Sequence, residues 1–251
     1  MHNGFFITIE GIDGIGKSTQ IKLLIEELRK QHTVYFTKEP GDAEVGSSLG
    51  AGVRELLFKK PGTANLAPGV GDLLFLSDHL QNIYELKKHL AKGEIVVSDR
   101  YADSQFAYAS HPSKRAPAWA MKLWDEQFGL LPDLTILMVA RGPRHLTNPP
   151  GPEDISWSLQ RANARKGKEA GKQDGKAWND VHAQQVIQEA YLQALRGKPR
   201  TKIVDVWDDN TIECVQDKIR QAVLSAITGE DVPLQPNLPL VVPVEAVSEA
   251  A

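Results

Sequence analysis

The stretch EGIDGIGKSTQ, Glu10–Gln20, limits what this chain can fold into more than any other. Gly11 to Ser18 has the spacing glycine, four residues, Gly-Lys-Ser, which is that of a phosphate-binding P-loop. Its flanks agree. FFITI, Phe5–Ile9, is a short continuous apolar run, and KSTQIKLLIEELRKQ carries Ile21, Leu24, Ile25 and Leu28 at helical spacing. A strand, a glycine-rich turn and a helix start aim several backbone N–H groups at one anion, and the helix dipole adds to the field. Gly11, Gly14, Gly16, Lys17, Ser18 and Thr19 are therefore the candidate phosphate-binding residues.

Further strands are expected at Thr33–Thr37, Ile95–Ser98, Leu134–Val139 and Lys202–Val206. Helical patterns separate them at Lys17–Gln31, Val45–Phe58, Gly71–Lys92, Ala116–Phe128, Asp180–Leu195 and Thr211–Ile227. Short apolar strands alternating with helices imply an α/β fold of the P-loop NTPase kind. Its parallel five-stranded sheet carries helices on both faces. Ligands in such sheets gather at the carboxyl ends of the strands. Asp13, Glu39, Asp99 and Arg100, far apart in sequence, are thereby expected around one crevice.

The 251 residues, 41% hydrophobic and 24% charged, suffice for one domain with a full core, expected over 1–227. A proline-rich insertion is expected over 140–154 and a small basic lid over about 157–180. Residues 228–251 read as a mobile tail. The net charge of −3 gives no reason to expect a nucleic-acid partner. The single cysteine, Cys214, excludes an intramolecular disulfide and reads as a small buried helix residue. No apolar stretch reaches the roughly 20 residues a membrane span needs. Without a signal-peptide pattern, a cytoplasmic location is expected.

A P-loop alone does not separate a kinase from a switch or a motor. GEIVVSDRYADSQFAY narrows the choice: a strand ending in Asp99 places a carboxylate near magnesium-bound phosphates, and Arg100 follows at once. An arginine there neutralises a transferring phosphoryl group or holds an acceptor phosphate. FTKEPG after the second strand, and the helix DLLFLSDHLQNIYELKKHLAKGE with Phe75, His79 and Gln81, complete the series.

These segments, with LPDLTILMV and the closing IVDV, run in the order found in thymidylate kinases, and the chain resembles that family over most of residues 4–227. The resemblance implies a nucleoside monophosphate kinase, with Mg-ATP as donor and a deoxynucleoside monophosphate, dTMP first, as acceptor. It implies that Lys17 bridges donor phosphates, that Ser18 and Asp99 serve Mg²⁺, and that Asp13 stands between P-loop and acceptor sugar. Glu39 lies on the acceptor side, Arg54 and Arg100 hold the acceptor phosphate, Phe75 stacks on the base, and Ser104 and Tyr108 lie near base and sugar. It also suggests a homodimer packed through helices.

Two departures from the family pattern stand out. The P-loop offers Gly14 and Ile15 where some members carry an arginine, so the catalytic charge falls to SLQRANARKGKEAGKQDGKAWND, with Arg161 and Arg165 as first candidates. His79 occupies the place of a base-reading arginine. It either donates to the thymine O4 or shifts the preference toward a modified pyrimidine or another deoxynucleotide. Of the other classes, a nucleotide-dependent switch would carry the guanine-reading N-K-x-D and a partition-type ATPase an extra P-loop lysine, and this chain has neither. A deoxynucleoside kinase, whose acceptor is uncharged, would have no use for Arg54 in its pocket.

Overall fold

The computed structural model describes residues 3–59, 66–109, 117–126, 129–142, 155–168 and 180–229, without the side chains of 59, 125–126 and 165–168. Its five strands are β1 (Phe5–Glu10), β2 (Val34–Lys38), β3 (Ile95–Asp99), β4 (Leu134–Arg141) and β5 (Thr201–Trp207). They form one sheet in the order β2-β3-β1-β4-β5, and every neighbouring pair is parallel. β1 is central and wholly buried. The chain leaves it toward β2 on one side and crosses later to β4 on the other. The site crevice opens where those directions diverge.

Alternation along β1 explains the two cores. Phe5, Ile7 and Ile9 face one side, against α1 (Lys17–Leu28), α7 (Val181–Leu195) and α8 (Ile212–Thr228). There Ile21, Leu24, Ile25 and Leu28 close the packing, as their spacing requires. Phe6 faces the other side with Val96, Tyr101 and Trp124, under Leu76, Ile83, Leu86 and Leu90 of α3 (Val70–Ala91). Each fully buried side chain of this kind contributes roughly 1.5–3 kcal/mol of transfer free energy. Asp180 and Thr211 cap α7 and α8 by accepting from the N–H groups of Ala183 and Cys214.

The structure corrects several expectations. The helix expected at Val45–Phe58 starts only at Gly50. Asp42 accepts from the N–H groups of Glu44 and Val45, and Gly46 follows at φ +98°, so these residues form a turn. α2 (Gly50–Arg54) then widens into a π-helical turn over Glu55–Lys59. Ala102–Ala109 is a helix, α4, that the sequence reading did not separate from the motif preceding it. α5 covers Ala118–Glu126. β4 runs on to Arg141, paired with Trp207, so the proline-rich excursion begins later than 140. Of the expected lid, α6 (Ser156–Lys168) is described. Residues 143–154, 169–179 and the tail from 230 lie outside the described residues. Cys214 is half-buried, not a core residue. No helix among the described residues is long and apolar enough to cross a membrane.

Candidate active site

The turn after β1 carries the P-loop into α1. Gly16, at φ +104°, caps α1 with no side-chain hydrogen bond, and a Cβ placed on it meets nothing within 4 Å. Gly14 differs: at φ +79°, its Cβ would stand 1.8 Å from the Ser158 carbonyl oxygen of α6. Only glycine lets this loop pass beneath that helix. Ser18 and Thr19 are exposed on the first turn. Lys17 is buried, and its Nζ donates to the carbonyls of Gly11 at 3.0 Å and Ile12 at 2.9 Å. Burial and the nearby Arg100 charge bring its pKa down to about 8.

Arg100 organises the crevice. Its backbone is left-handed, φ 73°, directly after β3, which turns its side chain back over the sheet end. One terminal nitrogen donates to Asp13 Oδ1 at 2.6 Å and Tyr108 OH at 3.0 Å. The other donates to Tyr191 OH at 3.0 Å and Ser104 Oγ at 3.3 Å. Asp13 in turn takes a backbone hydrogen bond to α7, its N–H donating to Gln184 Oε1 at 3.1 Å. Beneath Arg100 lies Glu10, fully buried at the end of β1. Its Oε1 accepts from the Tyr101 N–H at 2.7 Å, and its Oε2 lies 2.6 Å from Ser104 Oγ and 2.9 Å from Tyr191 OH. Burial and the Asp103 charge push the Glu10 carboxyl up to about 8.

Toward β2 the wall is built from FTKEPG and α3. Glu39 receives Asn82 Nδ2 at 2.8 Å and lies 2.9 and 3.0 Å from His79 Nδ1. Facing a carboxylate with both oxygens, Nδ1 carries the hydrogen. His79 is only 1% exposed, with its ring 4.7 Å from Tyr101 and 4.8 Å from Trp124, and its Nε2 is buried without a partner. Asp78 pairs with Ser47 and with the Gly41 N–H, and burial raises its carboxyl to about 6. Arg54 donates from Nε to the Pro40 carbonyl at 3.1 Å and lies 5.9 Å over the Phe58 ring. Phe75 is half-buried, 6.3 Å from Phe58.

The opposite wall is α6. Trp157 Nε1 ties it to the Arg141 carbonyl at 3.1 Å. Arg161 stacks on Trp157 at 4.7 Å and donates to the Asp208 carbonyl at 3.3 Å, so it leans toward the loop after β5. The backbone of Arg165 belongs to α6, while its side chain lies outside the described residues.

The donor set of the crevice fits a magnesium-bound triphosphate. Asp99 Oδ1 is buried with no hydrogen-bond partner, beside the Lys17 ammonium. The uncapped start of α1, open space over Gly16 and the exposed Ser18 hydroxyl complete an oxyanion cradle. Among the described residues no group of three or more His, Cys, Asp and Glu could hold a metal. Mg²⁺ bound chiefly through phosphates needs no such cage.

The family model described as thymidylate kinase matches residues 9–147, more than half of the chain. A thymidylate kinase of an Exiguobacterium species is 31% identical over 226 residues, 86% of this chain and 92% of that protein. The chain belongs to the thymidylate kinase family. The thymidylate kinases of Clavibacter sepedonicus and Bifidobacterium longum are 42% and 38% identical over 54% of this chain. Those two matches span 63% and 66% of the relatives' own lengths.

Against the family pattern, the structure gathers Asp13, Lys17, Asp99, Arg100, Ser104 and Tyr108 into one end of the crevice, and Glu39, Arg54, Phe75 and His79 into the other. Arg161 is not among these clusters. Sequence reasoning missed Glu10, Asn82, Gln184 and Tyr191. Glu10 is the first letter of EGIDGIGKST, and a carboxylate closing an apolar strand was an available signal. Tyr191 and Gln184 arrive from a helix more than 80 positions away, and only folding brings them in.

Proposed function

We propose that this chain phosphorylates a deoxynucleoside monophosphate, dTMP first, to the diphosphate with Mg-ATP as donor. The observation that carries the reading is the Asp13–Arg100–Tyr108 cluster standing beside Lys17 and the P-loop, in a chain of the thymidylate kinase family. A switch or partition ATPase is not favoured, because it has no use for a second, arginine-lined anion site.

Transfer needs no protein nucleophile. An acceptor phosphate oxygen attacks the γ-phosphorus in line, and the protein supplies alignment and charge neutralisation. Gly11, Gly14, Gly16, Lys17, Ser18 and Thr19 cradle the donor phosphates. Ser18 and Asp99 would hold Mg²⁺, which supplies neutralisation of phosphate oxygens when bound. Arg100, pinned by four oxygens, presents a fixed positive charge to the acceptor phosphate, with Arg54 as second holder. Lys17 leaves the Gly11 and Ile12 carbonyls for the phosphates, a better acceptor set. Phe75 stacks on the base, Tyr108 crowds the sugar, and Ser104 lies next to Arg100. His79, with Nδ1 committed to Glu39, meets a base only through Nε2. To donate to a keto oxygen there, it must be the imidazolium paired with Glu39. Arg161 and Arg165 bring lid charge to the transition state.

Homodimer formation belongs to the same proposal. Leu73, Leu80 and Tyr84 share one face of α3 and are 40%, 40% and 60% exposed, which suits a second copy. Sedimentation of wild type against Leu80→Asp tests it: a dimer becoming a monomer is expected, and a monomeric wild type defeats it. A cytoplasmic location is likewise proposed.

The deciding experiment is a screen of nucleoside monophosphates with Mg-ATP, measuring ADP and free phosphate together. The expected outcome is ADP in proportion to added dTMP, with no free phosphate. ATP hydrolysis independent of any monophosphate would overturn the reading.

A further inference from the structure

Under Arg100 three oxygens form a closed triangle. Glu10 Oε2 to Ser104 Oγ is 2.6 Å, Ser104 Oγ to Tyr191 OH is 2.6 Å, and Tyr191 OH to Glu10 Oε2 is 2.9 Å. All three edges have hydrogen-bond length, so each needs one hydrogen. Ser104 and Tyr191 bring one hydroxyl hydrogen each. If Glu10 were a carboxylate, two hydrogens would serve three edges, and one pair of oxygens would face each other bare at under 3 Å. Arg100 does not fill the gap: it donates from outside the ring, to Ser104 at 3.3 Å and Tyr191 at 3.0 Å. Glu10 Oε1 is also spoken for, by the Tyr101 N–H.

We propose that Glu10 carries the third proton and acts, through Ser104 and Tyr191, as a positioning residue for the Arg100 guanidinium. Its hydroxyl closes a ring in which each oxygen donates once around the circuit. The ring turns its remaining lone pairs on Ser104 and Tyr191 toward Arg100. A neutral acid serves that purpose where an anion would not. A carboxylate would pull the guanidinium down into the sheet and compensate the charge meant for the acceptor phosphate. The role given to Arg100 rests on the kinase reading above; the proton count does not.

The surroundings oppose ionisation. Glu10 is fully buried, and Asp103 of α4 adds a like charge, itself paired to Arg200 just before β5. From the P-loop and α1 come Asp13 and Lys17, from the end of β3 Asp99, Arg100 and Tyr101, from α4 Asp103 and Tyr108, and from α7 Tyr191. The positive members favour a carboxylate, and burial outweighs them. Ionisation of Glu10 is expected to bring down Arg100 geometry, and with it turnover, as pH passes about 8.

Infrared difference spectra of the free protein, taken at pH values either side of about 8, test the proton directly. The expected result is a protonated-acid carbonyl band that vanishes with a midpoint near 8 and is absent from Glu10→Gln. Asp78 titrates separately, near 6. In turnover assays, Glu10→Ala should lower kcat about 10- to 100-fold by misplacing Arg100. Glu10→Gln, which still donates a hydrogen bond, should recover most of that loss. No Glu10-dependent acid band, a band lost in the ordinary carboxyl range, or a Glu10→Gln as impaired as Glu10→Ala would each overturn the proposal. The infrared arm involves no nucleotide, so a protein that phosphorylates no monophosphate would sink the kinase reading while leaving the Glu10 proton to its own result.

Discussion

Arg100 and Arg161 stand on opposite walls of one crevice and are held in opposite ways. Arg100 is half-buried and held by four oxygen acceptors from three elements. Arg161 is exposed, stacked on a tryptophan of its own helix, with one long bond to a loop carbonyl. The first charge is set before any ligand arrives; the second must be redirected to reach a phosphate. A charge that already holds the acceptor phosphate on binding acts on the ground state and the transition state alike, whereas a charge recruited as the site closes acts most at the transition state. The two walls therefore predict different kinetic signatures.

The largest effect belongs to the fixed wall. Arg100→Ala should lower kcat/KM about 10³-fold or more. It should also cost roughly 1–3 kcal/mol of stability, because Asp13, Tyr108 and Tyr191 lose a charged hydrogen-bond partner. Steady-state kinetics and denaturant unfolding measure both. A loss of rate with stability untouched would break the claim that this wall is a structural unit. On the other wall, Arg165→Ala should lower kcat about 10- to 100-fold, with little change in acceptor KM and no stability cost. Hydrogen exchange along α6 should slow when both substrates bind. Equal exchange with and without them would leave the comparison with no moving partner.

Gly14→Ala probes where the walls meet. Its methyl would collide with the Ser158 carbonyl, so α6 must shift or the P-loop deform. We expect a loss of about 10-fold in kcat/KM and 1–3 kcal/mol in stability. A neutral Gly14→Ala would show that α6 is not seated on the P-loop in solution.

The last comparison is read in stability against pH. Glu10 has a folded pKa of about 8 against 4.5 unfolded, so between those values the native state binds more protons and stability falls as pH rises. Asp78, raised from 3.8 to about 6, adds to the early part of that fall. Lys17, lowered from 10.5 to about 8, acts in the next window: the unfolded state binds more protons there, so stability climbs again above 8. A minimum near pH 8, on the order of a few kcal/mol deep, is expected from these groups together. Glu10→Gln should flatten the descending arm and Lys17→Met the ascending one, while Arg161→Gln should leave both. A curve unchanged in Glu10→Gln would remove the fixed wall's titration.

The strands and most helices were legible because one period carries each. β1, β3 and β4 are continuous apolar runs buried on both faces, and α3 repeats its apolar positions from Leu76 to Leu90. The misreadings have physical causes as well. Val45–Phe58 shows helical spacing, yet Gly46 adopts a left-handed turn that delays the helix to Gly50. α4 is eight residues long and starts straight from the Arg100 turn, too short for its own period to speak.

What the sequence by itself determined was the local chemistry: a P-loop whose eight residues are contiguous, an Asp-Arg pair at a strand end, an aromatic and a histidine one turn apart on α3. Such motifs are readable because backbone geometry over a few residues places all their atoms. The tertiary structure decided which side chains those motifs lean on. Tyr191 lies 91 positions from Arg100 and 181 from Glu10, Gln184 lies 171 from Asp13, and His79 turns to Glu39 across 40 residues. No local pattern encodes those pairings. They exist because a buried charge or hydroxyl must find a partner, and only the packed sheet and helices determine which partner is within reach.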